Sequence, residues 1–248
     1  MHMVIRRIER ATLQERVYRA IKQSVLRNEL LPGETLSIDS LAENLGVSQT
    51  PVREALTKLS ADRLVEYQRN KGFRVAPITE SCVREIYEIR RLIEPYTVRI
   101  VTKRITKDGV LRDKLLGLEE IAKSLQARIG DGKGVHKTET EECLAVDLQL
   151  NDLLLEATDN SLLKDILDFV SGQSMRVRTF VEVALGALNP KVIVTITQEH
   201  LHIMESMLNG ASDKAANAVK EHLTNAEKRT LDSIRLALKE HVLEKQAS

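Results

Sequence analysis

The chain has 248 residues, of which 42% are hydrophobic, 29% charged and 3% aromatic, with no Trp. That is enough apolar material for the cores of one large or two modest domains, and the scarcity of aromatics argues for aliphatic helix packing over a β-sandwich. No apolar run reaches the length of a membrane span, Met1-His2-Met3 opens no signal-peptide core, and Cys82 and Cys143 fit neither a metal knuckle nor a disulfide framework, so a cytoplasmic protein with free thiols is expected.

The net charge of +1 conceals an asymmetry. Residues 1–78 carry 13 Lys and Arg against 9 Asp and Glu, and the remainder 24 against 27. A basic head on a mildly acidic body suits a protein that offers one surface to phosphates and keeps the other away from them.

In chain order, Leu13, Val17, Ile21 and Val25 are spaced four apart and predict a helix over 13–28, capped by Thr12 and ended by Leu31-Pro32-Gly33. Ile38, Leu41, Ala42 and Leu45 predict a second, short helix, opened by Ser37 and closed by Gly46. Val52, Ala55, Leu56 and Leu59 then form one apolar stripe of a third helix, with Thr50 as its cap and Pro51 in its first turn. Gln49, Thr50, Arg53 and Thr57 fall off that stripe and are free to meet a partner. Val65 and Tyr67 alternate with polar neighbours, Arg69-Asn70-Lys71-Gly72 supplies a turn, and Phe73 and Val75 alternate again, which predicts a hairpin with a basic tip. Together these elements predict a winged helix-turn-helix over residues 1–76, with Pro77 at the boundary.

Beyond Thr79 the pattern is helical throughout. Ile86, Ile89, Ile93, Ile100 and Val101 predict one long helix with Pro95 as a site of bending, followed by a helix over 108–129. Gly130-Asp131-Gly132-Lys133-Gly134 reads as a flexible loop. Further helices are expected over 139–156, 161–187, 191–208 and 212–244, broken at Asn160, Asn189-Pro190 and Asn209-Gly210. The fold class expected is therefore mainly α, with an antiparallel bundle of six or seven helices over 77–248.

The ordered run Leu31-Pro32-Gly33-Glu34, Leu36, Leu41-Ala42, Leu45-Gly46-Val47-Ser48 and Thr50-Pro51-Val52-Arg53-Glu54-Ala55-Leu56 resembles the GntR family of bacterial transcription regulators. The resemblance covers roughly residues 13 to 76. A looser resemblance, to the FCD effector domain of the FadR subgroup, rests on Glu88-Ile89-Arg90 with Glu94, Asp147 with Asn151, Glu199-His200, and Asn209-Gly210 leading to Lys220-Glu221-His222-Leu223. It implies a homodimer that binds a duplex operator and responds to a metabolite.

Side chains near the N-terminus of a helix in the major groove reach base edges, which places Gln49, Thr50 and Arg53 nearest the bases. Arg53 can bond guanine O6 and N7, and Gln49 can bond adenine N6 and N7. Ser48 and Thr50 suit phosphate oxygens. By resemblance, the wing tip of Arg69, Lys71 and Gly72 enters the minor groove. The family usually has a basic residue where Gln49 stands and a basic or polar one where Asp39 stands, so its operator preference does not transfer. Read without a partner, Arg53 pairs with Glu54 or Asp39 on a solvated face.

In the resembling effector domain an Asp, a His four residues later and two further His hold a divalent metal such as zinc, nickel or manganese. Here Asn151 replaces the first His, and an amide oxygen is a far weaker ligand, which leaves Asp147, His200 and His222 as the strong donors. Cys143, one turn before Asp147, reads as a buried inert thiol. Two alternatives stay open: both His are core residues and the pocket holds no metal, and Arg90 either meets an effector carboxylate or pairs with Glu94. An organic or sugar acid is the effector class this arginine suits.

Three functions follow. A metabolite-controlled transcription regulator, more often a repressor in this family, is the leading reading. A metal-dependent enzyme using Asp147, His200 and His222 lacks an evident general acid or base. A ligand-free DNA-binding dimer is the third.

Overall fold

The computed structural model describes residues 13–130, 132–185 and 189–247. The expected cap Thr12, Asp131 of the glycine loop and residues 186–187 of the helix expected to end there lie outside the described residues. The chain divides into two compact units, Met1–Ile78 and Thr79–Ser248.

In the first unit α1 (Leu13–Leu26), α2 (Ile38–Leu45) and α3 (Gln49–Ala61) pack around one core, and β1 (Thr35–Leu36), β2 (Val65–Gln68) and β3 (Gly72–Val75) form an antiparallel sheet of order β1-β3-β2. The four-residue spacing on α1 turns Val17, Ile21 and Val25 inward, against the fully buried Val52, Ala55, Leu56 and Leu59 of α3. Phe73 and Val75 of β3 and Val65 of β2 close this core, while Tyr67, opposite Phe73, stays exposed with its ring 5.2 Å from it. The strand β1 has two residues, too few to show an alternation, and was not foreseen.

The turn between α2 and α3 depends on Gly46. Ser37 Oγ accepts from the Ser40 amide at the start of α2, and at its end Gly46 adopts φ 63° while the Gly46 and Val47 amides bond the Glu43 and Ala42 carbonyls. Only glycine takes this left-handed conformation without strain.

The start of α3 differs from the sequence expectation. Gln49 and Thr50 are already helical, the extended N-cap is Ser48 with no side-chain cap bond, and Pro51 is the third helical residue. The first four amides of a helix have no intrahelical acceptor, so proline is as acceptable there as at the first position.

The second unit consists of α4 (Glu80–Ile105), α5 (Gly109–Ile129), α6 (Lys137–Glu156), α7 (Ser161–Leu185), α8 (Pro190–Leu208) and α9 (Ser212–Ala247). Thr79 caps α4 by accepting from the Cys82 amide at 3.2 Å, and the helix continues through Pro95, where the missing N–H costs one backbone bond. Asp108 caps α5 and Asn189 caps α8, with Pro190 at its first turn. The long helix α4 lies along α9, and α8 packs against α5 and α9. On α8 the residues Ile193, Thr197, His200, Met204 and Met207 form one buried stripe, so the helix carries a histidine into the aliphatic interior. No described helix is long and apolar enough to cross a membrane.

Two substitutions separate backbone from packing effects in the first unit. Gly46→Ala, whose added methyl meets nothing within 4 Å, is expected to cost about 1 kcal/mol through the left-handed backbone. Leu56→Ala is expected to cost about 3 kcal/mol by opening the core. Unfolding of the first unit in denaturant measures both.

Candidate functional site

The outer face of α3 begins with Ser48, Gln49, Thr50 and Arg53, all exposed. Arg53 forms no ion pair among the described residues, with neither Glu54 nor Asp39 engaging it. Gln49 is not free: its Nε2 donates to Asp39 Oδ1 of α2 at 2.5 Å. The wing tip places Arg69 and Lys71 in solvent, each without an ion pair among the described residues, on a turn in which Asn70 has φ 65° and Gly72 φ 82°. Arg74, farther down the wing, is engaged by Glu66 at 2.6 Å. The first unit thus carries three exposed cations, Arg53, Arg69 and Lys71, that form no ion pair among the described residues.

In the second unit, α6, α8 and α9 bring Asp147, His200 and His222 together, with one ligand atom from each within 4.8 Å of the others. The two imidazoles are buried, with ring centroids 4.9 Å apart. His222 Nδ1 meets Glu199 Oε2 at 2.8 Å, which leaves Nε2 as the ring's other donor atom. His200 Nε2 lies 3.3 Å from Asp147 Oδ1, but without hydrogen-bond geometry, and both its ring nitrogens are buried with no hydrogen-bond partner. A void of about 20 Å³ separates these groups, lined also by Arg90, Glu94 and Asn151. Asn151, one turn beyond Asp147, therefore borders the site.

The electrostatics favour cation ligands in their binding forms. Burial pushes the Asp147 carboxyl up, but the guanidinium of Arg178, 2.6 Å away, with His200 and Arg90, outweighs this and holds it well below the usual carboxylate range. Burial lowers the pKa of His222 despite the opposing pull of Glu199, which keeps the ring neutral at neutral pH. A carboxylate and imidazoles are donors that suit a divalent transition metal. The partnerless nitrogens of His200 fit the same role, because a buried polar atom without a partner is costly. Cys143 takes no part: it is buried against Thr197, and burial pushes its thiol up to about 11, so it stays protonated.

Beside this void lies a pocket of about 310 Å³. Arg90, Arg178 and Arg229 line it, together with Tyr87, Ser174, Glu182, Thr230 and Ser233. Each of the three guanidiniums is anchored by a carboxylate: Arg90 by Glu94 at 2.5 Å, Arg178 by Asp147, and Arg229 by Glu199 through two contacts of 2.8 and 3.0 Å. Arg90 pairs with Glu94, as one of the two sequence readings has it, and also lines the pocket. Arg178 and Arg229 were not foreseen. A signal for the former was its place between Val177 and Phe180-Val181 of α7, since a charge among buried apolar residues needs a partner.

Comparison with known proteins matches both units to known families. The family described as bacterial regulatory proteins, gntR family, matches residues 13–75, and the FCD domain matches residues 85–225. The chain belongs to the GntR family of regulators and carries an FCD domain. It is similar to the HTH-type transcriptional regulator YdhC of Bacillus subtilis (strain 168), 28% identical over 206 residues that cover 83% of this chain and 84% of that protein. It is also similar to the Nta operon transcriptional regulator of Aminobacter aminovorans, 29% identical over 213 residues covering 84% and 90%. The solved structure of E. coli McbR/YncC shares the fold, with a TM-score of 0.67 at 19% identity over 91% of this chain and all of that one. As a GntR-family protein the chain is a DNA-binding transcription regulator and not an enzyme, and its FCD domain is a metabolite-binding effector domain.

The anchoring of the buried charges can be tested directly. Arg178→Ala leaves the Asp147 carboxylate without its partner and is expected to cost about 3 kcal/mol. Arg178→Lys is expected to recover part of that loss. Denaturant unfolding of the second unit is the measurement.

Proposed function

We propose that this regulator reads its operator with Ser48, Gln49, Thr50 and Arg53 at the start of α3 and with Arg69, Lys71 and Gly72 at the wing, and that it releases or engages that operator when a hydroxylated organic acid enters the α4–α9 bundle. The observation that carries this reading is the meeting of a buried two-imidazole, one-carboxylate cluster with a pocket lined by three guanidiniums. Arginine forks suit a carboxylate. Glu182, on the same pocket wall, has a buried Oε1 without a hydrogen-bond partner and a carboxyl pushed up by burial, which favours a ligand that also carries a hydroxyl, as a sugar acid does.

Asp147, His200 and His222 are the residues that would hold a divalent metal, with Asn151 at its margin. The Irving–Williams order and the mixed N and O donor set favour zinc or nickel over manganese. A bound cation there supplies a Lewis-acidic anchor for an effector carboxylate. Zinc and nickel affinity would be weaker than with a third imidazole.

A single winged domain contacts too few base pairs to select one genomic site, which supports a homodimer on a palindrome. The exposed face of α4 supports it as well: Ile89, Leu92, Tyr96 and Ile100 recur along one side of that helix, 40 to 68% exposed. We place the protein in the cytoplasm with its operator and take repression as the family's commoner mode.

Two experiments test the reading. Against a duplex selected by the full-length protein, Arg53→Ala is expected to cost about 1 to 3 kcal/mol and to blur base preference. Lys71→Ala is expected to weaken all duplexes alike and flatten the salt slope. Unchanged affinity in Arg53→Ala would remove α3 from the interface. For the pocket, protein prepared without chelator is expected to carry about one divalent ion per chain by elemental analysis, lost in His200→Ala. Hydroxy acids at saturating concentration are expected to raise the melting temperature, as required of a ligand that prefers the folded state. An ion-free wild type would defeat the metal assignment, and Arg90→Ala with an undiminished thermal shift would defeat the pocket.

A further inference from the structure

The hydrogen bond between Gln49 and Asp39 joins the first residue of α3 to the first turn of α2, ten positions earlier. Both side chains are exposed, on the face that also carries the unpaired Arg53. An ionised carboxylate has only acceptors, so it fixes which end of the amide faces it. The Gln49 nitrogen is directed to Asp39, and the Gln49 oxygen is turned away from it. The remaining surface of the pair is rich in acceptors and carries a formal negative charge.

We infer that Asp39 is a positioning residue that makes Gln49 an acceptor-presenting reader of the major groove. The only base-edge donors in that groove are the amines on adenine N6 and cytosine N4, whereas guanine offers the acceptors N7 and O6. Gln49 held by Asp39 therefore selects an amine-bearing base, adenine or cytosine, and rejects guanine at the position it meets. Arg53 has the opposite polarity and selects guanine. Four residues and about 6 Å of helix rise separate them, so the two read different base pairs.

The inference rests on α3 entering the major groove, and the test separates the two claims. Full-length wild type, Gln49→Ala, Arg53→Ala, Asp39→Ala and Asp39→Asn are each used to enrich duplexes from a randomised pool, and base frequencies at each position are compared. At the position whose preference disappears in Gln49→Ala, replacing the amine of the preferred pair, adenine N6 or cytosine N4, by hydrogen is expected to weaken wild-type binding about tenfold, within the range one base contact commands. Asp39→Ala is expected to bind DNA and lose that dependence on the amine. Asp39→Asn, whose amide can donate as well as accept, no longer fixes which end of Gln49 faces it and is expected to weaken that dependence. The preferred pair, A·T or G·C, tells which amine is read. Wild-type binding indifferent to removal of the amine, or an undiminished dependence on it in Asp39→Ala, would overturn the inference. Failure of the major-groove placement itself would appear separately, as an Arg53→Ala consensus identical to that of the wild type.

Discussion

Three carboxylates and three guanidiniums inside an aliphatic bundle are tolerable only if each charge has a partner, since transferring an isolated ion into a protein interior costs several kcal/mol. The bundle satisfies this with three pairs, Arg90 with Glu94, Arg178 with Asp147, and Arg229 with Glu199. Two of the carboxylates have a second task. Asp147 also stands beside His200, and Glu199 also accepts from the His222 Nδ1–H. The same two carboxylates therefore anchor arginines of the pocket wall and border the histidine cluster.

This sharing makes the pocket and the cluster one electrostatic unit. An anionic ligand that draws on the donors of Arg178 or Arg229 competes with Asp147 or Glu199 for them, and any change there is felt at the imidazoles. Arg90 borders both spaces and touches neither histidine through a hydrogen bond. A guanidinium has five N–H donors in a fixed fork, so anchoring by one carboxylate leaves others directed at a ligand. Paired arginines are thus suited to recognition because their positions are already fixed.

The first unit solves a different problem, which is to keep a recognition surface rigid and uncommitted. Its core is ordinary, and the left-handed turn at Gly46 sets α2 against α3. Within that frame Asp39 uses a side chain of α2 to fix one on α3, while Arg53, Arg69 and Lys71 are left without internal partners among the described residues. The contrast between Arg74, neutralised by Glu66, and Lys71, exposed at the tip, shows how the wing concentrates its charge at its end.

The sequence by itself determined the element order and the polarity of each face. Hydrophobic spacing placed five of the six bundle helices within a few residues of their observed ends, and Ser37, Gly46, Asp108 and Asn189-Pro190 marked boundaries because capping is local chemistry. Asp147, His200, His222 and Arg90 were named through the resemblance to the FCD domain, since apolar neighbours alone do not tell a ligand from a buried core residue. The sequence misplaced the cap of α3, because Ser48 and Thr50 are both capable caps and proline is tolerated throughout the first turn. Only the tertiary structure brought Arg178 to Asp147, 31 positions apart, Arg229 to Glu199, 30 apart, and Gln49 to Asp39. These partners come from different helices, and helical periodicity states which way a residue faces without stating what it will meet.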